Sequence, residues 1–555
     1  MAPLSDQLAP SAARSRVGAT RADVLAVSAR GVDKSFVLPH AGRAHTLREQ
    51  VLRPRRRQPP AVLRALRELS FDISPGEFVA IVGRNGSGKS TLLRCIAGIY
   101  PVDGGQVEVN GRVAPFIELG VGFQPGLSAS DNLVTSGVMM GASAREMRRR
   151  QSEILRFAEL EDFAGLKLRN YSSGMTLRLA FALTTQIDAD VLLFDEVFAV
   201  GDVGFQERCF QRFVELKASG RTLVLVTHDM ASVRRLCDRA LLLHHGELVL
   251  DGDPEAVAVA YEELNARPNE GPAVVHGTPA RPPAPPRRKP VLGKWRRLWA
   301  VAFRLAMIEF KLKYLDAKLG YFWSITRPLL VFGLLYVVFT NVAHFDNRVN
   351  HYALYLLTAL VLWGFFLDAT TSGVLCLVRN ADLLRKLPIP RSAVPLGVVL
   401  RALLDLGMNL VAVVALSVLV GAPPRLSWLE LPLLIGMLAV LTTGVTLLAA
   451  ALYVRFRDID QIWTVLGQML FYGSPILYTV SFLPSSVRAD VVRFDPLATI
   501  FTQMGHAVVD PSALSAASVA GGSGWLVVSC GICFALLLLG GAVFARVAPR
   551  AAERL

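Results

Sequence analysis

After residue 320 the chain carries one long apolar stretch after another, and this feature restricts its possible folds more than any other. A helix needs about 20 apolar residues to cross a bilayer, and no stretch before residue 300 approaches that length. Hydrophobic residues make up 52% of the chain and charged residues 19%, whereas soluble domains are about 25% charged. The sequence therefore predicts a soluble first half and a membrane-embedded second half.

We predict six membrane spans in the second half, at residues 325–343, 352–378, 403–420, 431–454, 462–480 and 525–545. Basic residues concentrate in the loop after the second span, in the loop after the fourth and in the tail, namely Arg379, Arg385, Lys386, Arg391, Arg455, Arg457, Arg546, Arg550 and Arg554. Because positively charged loops stay in the cytoplasm, we expect these segments there.

The remaining residues divide by composition. Residues 1–22 lack the apolar core of a secretory signal, so we expect a disordered N-terminus. Residues 265–293 hold eight prolines and one acid, a composition typical of an extended linker. Residues 294–318 mix aromatic with basic side chains and predict an interfacial amphipathic helix that contacts membrane lipids. This leaves 23–264 as the soluble domain and 319–555 as the membrane domain.

A glycine-rich turn joins a predicted strand, residues 78–82, to a predicted helix. Such a turn offers backbone N–H groups to phosphate without obstruction, and the helix N-terminus beneath it favours negative charge. In a P-loop of this kind the lysine reaches the β- and γ-phosphates of ATP and the next hydroxyl ligates Mg²⁺. The expected nucleotide-binding residues are Gly83, Asn85, Gly86, Ser87, Gly88, Lys89, Ser90 and Thr91, with Ser90 on the metal.

A second apolar run, residues 191–194, ends in two acids, Asp195 and Glu196. This order suits a parallel strand whose carboxyl end meets the nucleotide. We expect Asp195 to hold Mg²⁺ through water and Glu196 to polarise the attacking water as the catalytic base.

With three further motifs, Tyr171-Ser172-Ser173-Gly174-Met175, Val200-Gly201-Asp202 and Val224–Thr227 running into His228, the sequence resembles the ATP-binding cassette (ABC) family. The resemblance implies that Ser172, Ser173 and Gly174 form the signature that closes on ATP bound by another subunit. It also implies that His228 is the catalytic switch histidine and Asp202 the D-loop acid. Ser173 and Met175 depart from the usual signature, so weaker hydrogen bonding is expected there.

Two assignments leave alternatives open. Phe36 follows the first predicted strand and either stacks on adenine, as the family's A-loop aromatic residue does, or belongs to the core. Gln124 is the candidate Q-loop glutamine and Mg²⁺ ligand, although the segment after it is shorter than in most members.

Segments in both halves are similar to one branch of the family. They are Glu118–Phe123 in the first half, and Leu387-Pro388-Ile389-Pro390-Arg391, Arg455-Phe456-Arg457-Asp458 and Ser474-Pro475-Ile476-Leu477-Tyr478 in the second. That branch pairs an ATPase with a type-2 export permease and exports bacterial polysaccharides, O antigen and teichoic acids. Here both parts are fused in one chain.

The resemblance implies an α/β P-loop nucleotide-binding domain, with a RecA-like core and a helical signature subdomain, followed by an all-α transmembrane domain of about six helices. It implies a homodimeric half-transporter of the bacterial cytoplasmic membrane that exports a lipid-linked glycan. An exporter of another lipid or drug is the alternative, and a membrane-anchored regulatory ATPase is a further one. A nucleic-acid ATPase is disfavoured, because the basic residues cluster beside lipid-facing segments.

Charged residues inside two predicted spans require an explanation, because a charge at the bilayer centre costs at least about 2.5 kcal/mol. They are Asp368 in the second span and Asp405 in the third. Arg401, Asp405 and Asn409 recur every four residues and so share one helical face. Either an internally paired stripe or the lining of a translocation path accounts for them.

Overall fold

Two sheets organise the first half of the computed structural model, which describes residues 25–37, 61–117, 122–196, 203–266, 274–276, 293–315, 320, 322–341 and 350–554. The ten strands are β1 (Val27–Val37), β2 (Ala61–Ile73), β3 (Phe78–Val82), β4 (Gly104–Val109), β5 (Val113–Phe116), β6 (Val191–Asp195), β7 (Thr222–Val226), β8 (Arg239–His244), β9 (Glu247–Gly252) and β10 (Val274–His276). One sheet has the order β5-β6-β7-β3-β8-β9 and is parallel except for β9. The other is antiparallel, with the order β10-β2-β1-β4.

The central strands of the parallel sheet are covered on both faces. All residues of β3 and β7 are buried, as expected for near-continuous apolar runs in a parallel sheet. The helices of this half are α1 (Lys89–Ala97), α2 (Ala129–Met139), α3 (Ala144–Ala158), α4 (Ser173–Gln186), α5 (Val203–Ala218), α6 (Met230–Leu236) and α7 (Pro254–Ala266). Helices α2, α3 and α4 pack on one another as a helical subdomain. The predicted nucleotide-binding fold is confirmed.

The predicted linker contains one regular element that its composition did not indicate. Val274–His276 forms strand β10 and pairs antiparallel with β2, with Val275 opposite Val62. The flanking residues 267–273 and 277–292 lie outside the described part of the chain. Backbone pairing needs no particular side chains, which explains why a proline-rich composition did not reveal it.

Helices make up the second half. They are α8 (Lys294–Leu315), α9 (Phe322–Asn341), α10 (Tyr352–Arg379), α11 (Ala381–Lys386), α12 (Ala393–Leu419), α13 (Glu430–Arg455), α14 (Ile459–Gly473), α15 (Ser485–Phe494), α16 (Pro496–Met504), α17 (Ala516–Ala520), α18 (Leu526–Val547) and α19 (Ala551–Arg554). Among the described residues, five helices are long and apolar enough to cross a membrane, namely α9, α10, α12, α13 and α18.

The prediction of a continuous helical span at 462–480 was wrong. Helix α14 ends at Gly473 after 15 residues, a rise of about 22 Å, and an irregular segment follows. Even so, this stretch runs antiparallel to α10, since Trp463 donates to Thr370 (3.1 Å) and Tyr352 donates to the carbonyl of Leu477 (2.8 Å). Thr370 and Tyr352, the α10 residues in these two contacts, lie about 27 Å apart along the helix. A short helix and irregular chain thus lie along α10 where a helical span was predicted.

Both ends of the membrane half contact the nucleotide half. At its start, Arg304 of α8 donates to Thr135 of α2 (3.1 Å). At its end, Glu553 of α19 pairs with Lys34 of β1 (2.6 Å). The chain therefore crosses an even number of times and returns to the side from which it started.

Helix α8 packs lengthwise against the first half of α12. Leu305 contacts α12 at Gly397, and the hydroxyl of Tyr314 donates to Asp405 (2.7 Å). Val301, Ala302, Leu305 and Ala306 are buried on the side of α8 that faces the bundle, whereas Trp295, Trp299 and Phe303 are exposed. Both sides of α8 thus carry apolar side chains, and the interfacial amphipathic helix stays a prediction.

Two glycines bring the backbones of α13 and α18 into contact. A Cβ atom on Gly444 would lie 2.6 Å from the backbone nitrogen of Leu537, and one on Gly540 would meet the carbonyl of Gly444. Small residues at such crossings allow helices in lipid to pack closely.

We therefore expect Gly444→Ala to destabilise the membrane half by about 1–3 kcal/mol, the usual cost of overpacking a filled site. Thermal unfolding in detergent would measure this as a lowered midpoint. Gly436→Ala on the same helix is the matched control, because a Cβ there meets nothing within 4 Å. Equal midpoints for the two variants would contradict the proposed backbone contact.

Candidate nucleotide site and its contacts with the membrane half

The predicted P-loop joins β3 to α1. Three of its positions are occupied by glycine for different physical reasons. A Cβ on Gly88 would lie 2.5 Å from the carbonyl of Ala65, and one on Gly83 would meet the carbonyl of Leu243, so packing requires glycine at both. Gly86, with φ of +83°, has open space around it. Gly86 and its neighbour Asn85 are exposed. Only this middle part of the loop presents free space to a phosphate.

Two side chains of the loop are suited to bind an anion. Lys89 is buried, and its Nζ donates to the carbonyls of Gly83 (2.6 Å) and Arg84 (2.9 Å). Burial lowers the pKa of Lys89 from its ordinary value, so a nearby negative charge would favour its charged form. The buried Oγ of Ser87 has no hydrogen-bond partner within the described structure. Such an orphaned group fits a phosphate oxygen.

Ser90 and Asp195 come together from different elements. Ser90 lies in the first turn of α1, and Asp195 is the last residue of β6, two strands from β3 in the sheet. Burial raises the pKa of Asp195, and a hydrogen bond from Ser90 partly opposes that shift. A hydroxyl and a carboxylate are the oxygen donors that Mg²⁺ prefers. Thr91 is half-buried on the next position of α1.

Glu196 and His228 face each other where β6 and β7 end. His228 Nδ1 lies 3.4 Å from Glu196 Oε1, and both side chains are more than half exposed. Glu196 has the left-handed φ of +50°, and its backbone nitrogen donates to the carbonyl of Val226 (2.9 Å). Strained backbone of this kind clusters at functional sites. The arrangement leaves a carboxylate free to polarise a water, with a histidine in reach of it.

The signature residues lie at the start of α4. Ser172 is the N-cap, and its Oγ accepts a hydrogen bond from the backbone nitrogen of Met175 (3.1 Å). Ser172 and Ser173 are exposed, and a methyl group on Gly174 would meet, within 4 Å, only Ser172 Oγ. Among the described residues, the N-terminus of α4 thus faces open space. Asp202 and residues 118–121 lie outside the described residues.

Asn132 holds the Q-loop, a role that the sequence did not reveal. Its fully buried amide accepts from the backbone nitrogen of Gln124 (2.6 Å) and donates to the carbonyls of Gln124 (3.0 Å), Leu127 (3.2 Å) and Ser128 (2.9 Å). These bonds fix the backbone of Gln124, which is half-buried. A polar residue within the apolar stretch of α2 was the only signal for this role. Metal binding by Gln124 stays a prediction.

The same loop touches the membrane half directly. A Cβ on Gly122 would lie 2.9 Å from Leu387, just after α11, and one on Gly126 would lie 2.7 Å from Leu312 of α8. Lys311 of α8 pairs with Asp131 of α2 (3.2 Å). The loop after the second span therefore lies on the same side as the nucleotide half.

Phe36 lies at the end of β1 with its ring centroid 5.5 Å from that of Tyr100. A cavity of about 340 Å³ separates these rings from the membrane half, and its walls are formed by Phe36, Arg94, Tyr100, Asp382, Arg385, Lys386 and Glu553. Stacking of Phe36 on adenine stays a prediction. The fully buried Lys34 beside it, paired with Glu553, is a second contact that the sequence did not indicate.

Comparison with known proteins gives the family. Residues 66–199 match the family described as ABC transporter, and residues 301–506 match the ABC-2 type transporter family. The ABC transporter protein AbcA of Aeromonas salmonicida is 43% identical over 244 residues, which cover 43% of this chain and 76% of that protein. The chain belongs to the ABC transporter family. Its ATPase activity is accordingly coupled to transport, and it is an integral membrane protein.

Other relatives of this ABC transporter match the same half of it. The O-antigen export system ATP-binding protein RfbB of Myxococcus xanthus is 37% identical over 46% of this chain and 61% of that protein. The teichoic acids export ATP-binding protein TagH of Listeria innocua is 39% identical over 37% of this chain and 62% of that protein. Among solved structures, a dimeric ATP-binding cassette with ADP and phosphate is 25% identical over 41% of this chain and 98% of that chain, with a TM-score of 0.35.

In this ABC transporter, Glu196→Gln should lower ATP turnover by about 10² to 10⁴ while nucleotide binding persists, because the water loses its polarising carboxylate and the P-loop is unchanged. Turnover and retained ATP are to be measured on purified protein. Unchanged turnover would exclude Glu196 as the base.

The contrasting variant is Lys89→Ala, which removes a charge-assisted phosphate contact and should weaken ATP binding itself. The two variants together separate binding from chemistry. Normal ATP affinity in Lys89→Ala would contradict the assignment of the phosphate cradle.

Proposed function

We propose that two copies of this ABC transporter bind two ATP–Mg²⁺ between facing nucleotide domains and export a lipid-linked cell-surface glycan across the bacterial cytoplasmic membrane. The observation that carries the proposal is the fusion itself: an ATPase half similar to O-antigen and teichoic acid export proteins is joined to an ABC-2 type membrane half. Ser90 and Asp195 are the proposed metal-binding pair, with Gln124 as a further ligand.

The exposed signature supports the dimer. Ser172, Ser173 and the N-terminus of α4 are uncovered in a single chain, and a helix N-terminus attracts phosphate. If this surface contacts ATP held by a second copy, each chain supplies the P-loop of one site and the signature of the other.

The membrane half has surface available for the same partner. No residue of α9 is buried, and α14 exposes Ile462, Val465, Leu466, Met469 and Tyr472 along one face. These faces suit contact with lipid or with a second copy, and α9 and α14 both pack against α10. A dimer that meets here would enclose a path beside α10.

Four bases of α8 are candidates for contact with an anionic carrier, namely Arg296, Arg297, Lys311 and Lys313. Lys311 pairs with Asp131, Lys313 pairs with Asp405, and Arg297 donates to the carbonyl of Pro388 (2.9 Å). These bases join parts of the protein, which leaves exposed Arg296 as the one base of that set without a described bond. Arg385 lines the cavity near Phe36, where a basic group would attract an anionic carrier.

A mixed dimer tests the shared site. One chain carries Lys89→Ala and the other Ser172→Arg, so both lesions fall on one ATP site and the second site stays intact. We expect measurable ATPase activity from co-purified, differently tagged chains and almost none from either mutant homodimer. Failure of mixing to restore activity, or full activity in monomers, would refute the composite site.

Stimulation of ATP turnover tests the substrate. In proteoliposomes, lipid-linked oligosaccharide should raise ATP turnover of the wild-type protein, because substrate binding favours closure of the nucleotide domains. Glu196→Gln protein in identical vesicles is the control for contaminating ATPase. Stimulation by a drug or phospholipid, with indifference to every lipid-linked glycan, would refute the glycan and favour the alternative exporter.

A further inference from the structure

The segment that follows the last span, residues 548–554, is packed against the rest of the protein. Helix α18 ends at Val547, a 3₁₀ turn covers Ala548–Arg550, and α19 follows at Ala551–Arg554. The side chain of Ala551 is fully buried, and that of Ala548 is 6% exposed. This post-span segment therefore continues α18 and carries buried side chains of its own.

Glu553 of the post-span segment pairs with a lysine that solvent does not reach. Lys34 of β1 is fully buried, and its Nζ lies 2.6 Å from Glu553 Oε1. The same Nζ donates to the carbonyl of Pro101 (2.8 Å) and lies 3.5 Å from Asp103 Oδ2. Asp103 belongs to the nucleotide half and already supplies a counter-charge. Neutralisation of Lys34 alone therefore does not require Glu553.

A second bridge joins the same parts of the protein. Arg391, between α11 and α12, donates through one terminal nitrogen to the carbonyl of Ala548 (2.7 Å) and through the other to the carbonyl of Ile99 (2.9 Å). Burial lowers the pKa of Arg391, and the nearby charge of Glu553 partly opposes that shift. Two positive and two negative side chains thus meet here, which avoids the cost of leaving a buried charge uncompensated.

Both bridges end on residues that directly follow helix α1. The backbone nitrogens of Ile99 and Tyr100 donate to the carbonyl of Arg94 in the last turn of α1 (2.9 and 3.2 Å), so these residues are fixed to the helix. The nine residues of α1 begin at Lys89 in the phosphate cradle, about 12 Å from the other end. One short helix therefore separates the ATP site from the residues that the bridges hold.

These bridges are separate from the contact made by the Q-loop. The Q-loop meets α8 at Leu312 and the chain just after α11 at Leu387, whereas the post-span segment continues from α18. Helix α18 in turn meets the backbone of α13 through Gly444 and Gly540. The bridges therefore add a connection from α1 to α18 and, through α18, to α13.

We infer that the post-span segment is a coupling contact, which carries the state of the ATP site through α1, Lys34 and Arg391 to the last span. Glu553, Lys34 and Arg391 are positioning residues in this contact, because they act through α1. ATP bound at the start of α1 restrains the helix, and a segment bonded to the residues after α1 then opens less often. Charge-assisted bonds make the connection stronger than neutral ones would. The inference needs ATP binding only, and neither the glycan nor a second copy.

Hydrogen exchange tests the contact without a transport substrate. The intact Glu196→Gln chain is labelled in detergent with and without ATP–Mg²⁺, and exchange is measured on peptides that cover residues 83–92 and 544–554. We expect ATP to slow exchange in both, by at least about threefold in the second, because the segment is bonded to a helix that ATP restrains. Slowing confined to residues 83–92 would overturn the inference.

Glu553→Gln in the same background weakens the first bridge. The response of residues 544–554 to ATP should fall at least about twofold, while residues 83–92 respond as before. The matched control is Glu247→Gln, which removes an exposed carboxylate that lies 3.4 Å from Arg67 in the nucleotide half and should leave both responses intact. An undiminished response of residues 544–554 in Glu553→Gln would also overturn the inference.

A double variant separates coupling from stability. Glu553→Gln alone leaves Lys34 and Arg391 with Asp103, an excess of buried positive charge that lowers the thermal midpoint. Lys34→Met combined with Glu553→Gln removes one charge of each sign, so we expect the midpoint to recover while the response of residues 544–554 to ATP stays reduced. Recovery of that response together with the midpoint would show that the pair only stabilises the fold, and would overturn the inference.

Discussion

Asn132 fixes a loop through which the nucleotide half contacts the membrane half. Its buried amide fixes the backbone from Gln124 to Ser128, and the same loop contacts Leu312 of α8 and Leu387 just after α11. Leaving such a buried amide or its partners unpaired would cost roughly 1–3 kcal/mol per group.

Buried charges recur at the junctions between elements, and each has a partner. Lys34 joins the nucleotide half to the end of the chain through Glu553, and Arg401 joins α8, α10 and α12. Removing one member would strand a charge in a low dielectric, which costs several kcal/mol. These pairs therefore specify which elements meet, and they tie the membrane half to the nucleotide half at points distant from ATP.

Much of the fold and the site could be predicted because the relevant signals are local. The P-loop, the two acids after β6 and the histidine after β7 each follow a short apolar strand, and parallel strands bring their carboxyl ends together. The fifth span could not be predicted correctly. Its composition is apolar enough to cross, but the helix ends at Gly473, and the irregular chain after it is held to α10 by the hydrogen bond from Tyr352 to Leu477.

The amino-acid sequence by itself determined the order of the two halves and the P-loop ATPase fold of the first, because both depend on neighbours in the chain. Tertiary structure alone decided that Gly83 and Gly88 serve packing, that the bases of α8 pair within the protein, and that Asp368 pairs with Arg401. Contacts between residues distant in sequence set these features, and neither composition nor residue spacing predicts such contacts.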